Sequence, residues 1–208
     1  MNFTQFKNQF QNRPFILSRD ASSFVKNPQV LRNQFNRWQK KGLLISLRKG
    51  VYILNEQDRN IPANVNALAN ILYEPSYLSL EYALNFYGII PEAVADITSV
   101  STRKTKQFKN ALGSFMYQHI NPEAFRGFKR VGEGSSAFFM ADPEKAVVDF
   151  LYLNLSEFGD DAQEKLEQSY RFQNVEELNP EKLSAFGQHF QSKKLTRVIK
   201  ILARWIKE

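Results

Sequence analysis

Between Asn27 and Leu54 the spacing of apolar residues changes period once, at Gly42, and that change limits what this stretch can form. Before it, Leu31, Phe35 and Trp38 fall at i, i+4 and i+7, the spacing of one helix face. Asn27 is a good N-cap, Pro28 fits the first helical position, and Gly42 fits the end. After Gly42, Leu43 to Leu47, a turn at Arg48-Lys49-Gly50, and Val51 to Leu54 read as a short β-hairpin. Upstream, Phe3, Phe6 and Phe10 repeat at helical spacing before Pro14, and Ser18 is placed to cap a second helix through Ala21 and Phe24 to about Lys26.

Three helices followed by a hairpin predict a winged helix-turn-helix, which we assign to residues 1–56. A helix that reads DNA needs one apolar face on its own domain and one free polar face, and the third helix has both. Arg pairs bidentately with guanine, and Asn or Gln with adenine, so Gln29, Arg32, Asn33, Asn36 and Arg37 carry chemistry suited to base edges. Lys40 and Lys41 suit phosphate, and Arg48 and Lys49 at the hairpin tip suit a minor groove or its backbone. Because every amphipathic helix has a solvated polar face, charge must decide. Residues 1–60 hold 11 Lys and Arg against Asp20, Glu56 and Asp58, whereas the other 148 residues hold 17 basic and 18 acidic groups. That asymmetry points the N-terminal module at a polyanion, and double-stranded DNA is the expected partner. An anionic membrane would prefer a basic amphipathic helix lying in its interface, and no run nears the roughly 20 apolar residues of a membrane span.

Asn55 to Asn60 is polar and unpatterned, and we place a domain boundary there, with a second domain over residues 61–208. Pro62 opens a helix with Val65, Leu68 and Leu72, and Ser79 caps another. Ile97 to Thr102, Ser114 to Ile120, Gly127 to Val131 and Ser136 to Ala141 read as strands, with Gly132-Glu133-Gly134 as a turn. Asp142-Pro143-Glu144-Lys145 starts a helix apolar nearly all round, and the last helix runs from Lys193 to Lys207. The expected class is α+β: the winged helix-turn-helix, then a domain with a small, mainly antiparallel sheet and a helical C-terminus. Arg103, Lys104, Lys106 and Lys109 form a second basic cluster, read as a solvated loop between strands, with Arg103 and Lys104 as a secondary DNA contact.

Catalysis finds little support. Zero cysteines exclude thiolate zinc sites and agree with a reducing, cytoplasmic setting. There is no Gly-x-Ser-x-Gly elbow, P-loop or dinucleotide fingerprint, so no catalytic residue, metal ligand or cofactor is assigned. A metal-dependent nuclease using Asp142, Glu144 and Asp149 is the enzymatic alternative. Capping accounts for Asp142 and Glu144, however, and Lys145 with Asp149 forms an i, i+4 pair. His119 and His189 read as structural.

Several motifs resemble one known family. Phe35-Asn36-Arg37-Trp38-Gln39-Lys40-Lys41-Gly42-Leu43-Leu44 and Leu47-Arg48-Lys49-Gly50-Val51-Tyr52-Ile53-Leu54 are similar to the winged helix of the AbiEi-type antitoxins. Pro75-Ser76-Tyr77-Leu78-Ser79-Leu80-Glu81-Tyr82-Ala83-Leu84, Tyr87-Gly88-Ile89-Ile90-Pro91-Glu92, Ile97 to Arg103, and Ala141-Asp142-Pro143-Glu144-Lys145-Ala146 follow in that family's order, covering about residues 28–155. The resemblance implies a transcriptional autoregulator and antitoxin of a type IV toxin-antitoxin, abortive-infection system. Its N-terminal domain would bind repeats in its own promoter, as a dimer or as monomers side by side. Its second domain would counter a nucleotidyltransferase-like toxin without a stable complex. The alternative of the same class is a stand-alone regulator whose second domain senses a ligand or dimerises.

Overall fold

The period change at Gly42 is the junction between a helix and the sheet it packs on. The computed structural model describes residues 1–25 and 27–207 as a mixed α+β fold with two sheets. Helix α1 (Phe3–Phe10) opens with a reciprocal capping box between Asn2 and Gln5. Strand β1 (Ile16–Leu17) and helix α2 (Ser18–Ser22) lead to α3 (Pro28–Lys40), whose N-cap Asn27 accepts the Gln29 N–H at 2.9 Å. Gly42 then takes φ +69°, ending the helix, and β2 (Leu44–Arg48) and β3 (Val51–Leu54) form the hairpin. Ser18 is the first residue of α2 and not its cap, because the extended backbone before the helix belongs to Leu17 and no side chain caps it. The helix ends at Ser22 with Ser23 as its C-cap, short of the expected run through Phe24, and the expected end at Lys26 lies outside the described residues.

The β1 strand has no counterpart in the sequence reading. It pairs with β3, making a three-stranded antiparallel sheet in the order β1-β3-β2. Alternation sends Ile16, Leu44 and Leu54 to one face, against Phe6, Phe10, Leu31, Phe35 and Trp38 of the helices. It sends Leu47, Val51 and Ile53 to the other, where with Phe15 they join the core of residues 65–202. Each such side chain contributes about 1.5 to 3 kcal/mol on burial, so the sheet is held firmly from both sides. The segment at 55–60 is likewise tied down: Lys7 pairs with Asp58 at 2.7 Å, and the Asn60 N–H donates to the Gln11 carbonyl at 2.8 Å.

Beyond it come α4 (Val65–Leu72), β4 (Ser76–Leu78), α5 (Leu80–Phe86), β5 (Ile97–Ser101), β6 (Lys106–Asn110), β7 (Gly113–His119), β8 (Phe128–Val131), β9 (Phe138–Ala141) and α6 (Pro143–Leu153). The helix expected to open at Pro62 starts instead at Val65, because Asn64 accepts the N–H groups of Asn66 and Ala67. The second sheet has six strands in the order β6-β7-β5-β4-β9-β8, larger and more mixed than expected. Its β5/β7 and β4/β9 pairs are parallel and the other three antiparallel. The β6-β7 hairpin folds back so that β7 lies beside β5, and β9 reaches β4 after a long excursion. The basic segment read as a loop contains β6, one of the two outer strands. Short α7 (Ala162–Glu164), α8 (Pro180–Gln188) and α9 (Lys193–Trp205) complete the helical C-terminus.

Helix α6 is the centre of this half, with Glu144 to Leu151 all buried. Its Lys145 and Asp149 pair with each other, and Asp149 also accepts from the Tyr77 hydroxyl at 2.9 Å and the Ser79 hydroxyl at 2.8 Å. The ammonium lies 4.5 Å from the centre of the Phe190 ring. Burial pushes the Asp149 carboxyl up and the Lys145 ammonium down, in each case against the partner's charge. Ser79 therefore occupies the N-cap position of α5 but spends its hydroxyl on Asp149. Asp142, expected to cap α6 with its side chain, pairs with Lys129 at 3.1 Å and makes no cap bond.

Asp149→Ala strands a buried ammonium and two buried hydroxyls, and we expect a loss of about 3 to 5 kcal/mol in urea unfolding. The double replacement Lys145→Met with Asp149→Leu costs distinctly less, since it leaves no charge behind.

Candidate nucleic-acid interface

Because Leu31, Phe35 and Trp38 are buried against α1 and the first sheet, the opposite side of α3 is left to solvent. Gln29, Arg32, Asn33, Asn36, Arg37 and Lys40 are all exposed on it, and Lys41 is exposed just beyond its end. The Gln29 amide reaches Asn33 at 3.4 Å. Among the described residues no carboxylate lies within 4.0 Å of Arg32, Arg37, Lys40 or Lys41. Their charge is therefore uncompensated at short range, unlike the paired Lys7.

The hairpin tip faces this helix across a cleft of about 390 Å³, lined by Ser18, Ser22, Arg32, Phe35, Lys49 and Tyr52. Sequence reasoning placed Arg32 and Lys49 on one interface, and the fold brings them to one cleft. Gly50 sets the angle of the tip with φ +87°, and its carbonyl accepts the Ser18 N–H at 2.9 Å. Arg48 is half-buried, its guanidinium 5.5 Å from the centre of the Phe108 ring on β6. The Asn110 amide donates to the Leu47 carbonyl at 3.2 Å, binding the hairpin to the same strand.

Arg103 and Lys104 follow β5 and are exposed. The Arg103 guanidinium lies 4.4 Å from the Tyr73 ring centre and donates to the Glu74 carbonyl at 3.2 Å. It joins Arg48 and Lys49 around a second recess, whereas Lys104 does not. Arg19 of α2 lines that recess too. The sequence reading missed Arg19, and charge was its only signal there, since the convergence is tertiary. His119 is exposed at the end of β7 with Nδ1 3.1 Å from the Arg103 carbonyl, and His189 follows α8.

The carboxylates of the nuclease alternative are not gathered. Asp142 faces Lys129, Glu144 accepts the Asn179 N–H at 3.2 Å, and Asp149 is enclosed by Lys145, Tyr77 and Ser79. Among the described residues no group of three or more His, Asp or Glu side chains is arranged to hold a metal ion. A separate cavity of about 600 Å³ lies in the second half, where Leu80, Glu81, Asp96, Met116, Phe150 and Tyr170 are among its walls. Leu80 holds φ +60° there, a left-handed backbone that a leucine rarely adopts.

No protein-family model matches the chain, and no curated protein matches it either. Among the described residues no helix is long and apolar enough to cross a membrane.

The hairpin tip depends on Gly50, where a Cβ would sit 3.2 Å from the Ser18 hydroxyl. We expect Gly50→Ala to lower stability by more than the about 1 to 2 kcal/mol of a left-handed L-residue. Gly134→Ala, at φ +59° with nothing within 4 Å, shows the backbone cost alone in the same urea titration.

Proposed function

We propose that the protein is a DNA-binding transcriptional autoregulator and antitoxin of a type IV toxin-antitoxin system, with residues 1–56 acting as a winged helix-turn-helix. The observation that carries the DNA reading is the exposed polar face of α3, whose Arg32 shares one cleft with Lys49 of the hairpin tip and whose cations have no carboxylate within 4.0 Å among the described residues. In this reading α3 enters the major groove, where Gln29, Arg32, Asn33, Asn36 and Arg37 meet base edges. Lys40 and Lys41 take phosphates, and Arg48 and Lys49 form the wing at the adjacent backbone. The antitoxin part, with a nucleotidyltransferase-like toxin as its target, rests on the motifs between residues 28 and 155 that resemble the AbiEi-type antitoxins. The chemistry assigned to the chain is recognition, with no catalytic residue, metal or cofactor.

The cavity of about 600 Å³ favours a second reading, in which the winged helix serves a regulator that senses a small molecule. The two readings share the DNA interface and part at the second half. Co-expression with a nucleotidyltransferase encoded beside the gene, scored as rescue of growth, separates them: rescue supports the antitoxin and its absence favours the sensor.

Fluorescence anisotropy with the protein's own upstream DNA and a scrambled duplex, over a salt series, tests the shared part. We expect selective binding to the upstream DNA, with log K falling linearly with log salt at about 0.9 per phosphate contacted. Asn36→Ala and Arg37→Ala each lose about 1 to 3 kcal/mol on the upstream site and narrow the difference from the scrambled duplex. Lys49→Ala weakens both duplexes alike. Wild-type affinity and selectivity in the Asn36 and Arg37 variants would show that α3 does not read the bases.

A further inference from the structure

Four cations from three separate segments converge where the hairpin turn meets the second sheet. Arg19 of α2, Arg48 at the end of β2, Lys49 of the turn and Arg103 from the β5–β6 connection line one recess of about 240 Å³, with Glu74 as its single carboxylate-bearing residue among the described residues. We infer that this recess grips a phosphate of the DNA backbone, so that the DNA-binding surface continues from the hairpin onto residues of the second half. The inference rests on the DNA reading above, adds Arg19 to it, and gives Arg103, expected from the sequence as a secondary contact, a defined place beside the hairpin.

Three observations carry it. First, the cations are not there to neutralise neighbouring acids. Among the described residues Arg48, Lys49 and Arg103 have no carboxylate within 4.0 Å, and Arg19 has only the adjacent Asp20 at 3.7 Å. Like charges so close repel one another, and an anion between them relieves that. Second, two of the four are oriented in advance. Arg103 lies on Tyr73 and is fixed to the Glu74 carbonyl, and Arg48 lies on Phe108. A stacked guanidinium keeps its edge toward solvent, and Arg103, with Nη1 spent on Glu74, retains the Nε and Nη2 donors that bind phosphate oxygens in pairs. Third, the recess adjoins the cleft under α3 across the hairpin turn, since Ser18, Lys49 and Gly50 line both. A backbone that leaves the cleft at Lys49 meets the recess next, which favours a phosphodiester of a polymer over a small free anion.

The test uses the full chain with Arg103→Gln, an exposed change that removes one charge, and Lys194→Gln on α9 as an equal loss of charge outside the recess. Both are titrated against the upstream and scrambled duplexes over a salt series. We expect Arg103→Gln to weaken both duplexes by the same factor and to reduce the salt slope by about 0.9, with selectivity kept and Lys194→Gln unchanged. Arg103→Lys keeps the slope but loses the paired donors, and so binds more weakly than wild type. If the wild type binds selectively and Arg103→Gln keeps its slope, the phosphate assignment falls while the α3 reading stands. If the wild type binds both duplexes equally and Arg103→Gln still lowers the slope, the assignment stands and base reading by α3 falls. If no duplex binds, both fall. In that case inorganic phosphate that raises the Tm of the wild type, but not of Arg103→Gln, reassigns the recess to a free anion.

Discussion

The three-stranded sheet buries apolar side chains on both of its faces, and most of the molecule's geometry follows from that. A hairpin packed only on its own helices is free to swing, because the connection after it costs little to bend. Here Leu47, Val51 and Ile53 belong to the core of the second half, while Leu44 and Leu54 belong to that of the helices. Moving the hairpin would expose one set or the other, at roughly 1.5 to 3 kcal/mol for each side chain. The positions of Arg48 and Lys49 are therefore set by hydrophobic burial on two sides, with the hydrogen bonds at Gly50 and Leu47 added at the tip. The same packing brings β6 against the hairpin, which is how Phe108 comes to lie beneath Arg48.

The second half has a different kind of centre. Helix α6 carries an ion pair into the core, a costly arrangement unless each remaining donor and acceptor is used. Asp149 meets this with three donors, from Lys145, Tyr77 and Ser79, and so fastens α6 to β4 and to the start of α5. Apolar packing tolerates small slides between helix and sheet, but a four-membered polar cluster does not, since any shift leaves a buried group alone. The nearby carboxylates play separate parts, Asp142 tying α6 to β8 through Lys129 and Glu144 tying it to the start of α8 through the Asn179 N–H. The three acids that look like a cluster in the sequence are thus pointed at three different neighbours.

What the sequence made legible was whatever depends on neighbours along the chain. The caps of α3, the apolar face of Leu31, Phe35 and Trp38, the hairpin turn and the all-round apolarity of α6 are local patterns, and each produced its element. The three strands that escaped notice are short or charged. β1 has two residues, β4 has three, and β6 reads Lys-Gln-Phe-Lys-Asn, so each is a strand only because of what it pairs with. Capping was misjudged at Ser18, Ser79 and Asp142, where the right residue type stands at or beside the right place but a neighbour or a distant partner takes the role. The polar face of α3 was legible residue by residue, whereas the approach of Arg19 and Arg103 to the hairpin needed the packing of both halves.

The second sheet is open, with β6 and β8 as its two outer strands. An outer strand offers unpaired amides and carbonyls to any passing chain, and proteins commonly guard it with lysine or arginine. Lys106 and Lys109 stand on one of these edges, and Lys129 and Arg130 on the other. The basic character of β6 thus has a bearing on solubility that is independent of nucleic acid. It keeps a row of open hydrogen-bonding groups from templating assembly with a second copy, by repulsion between like-charged edges.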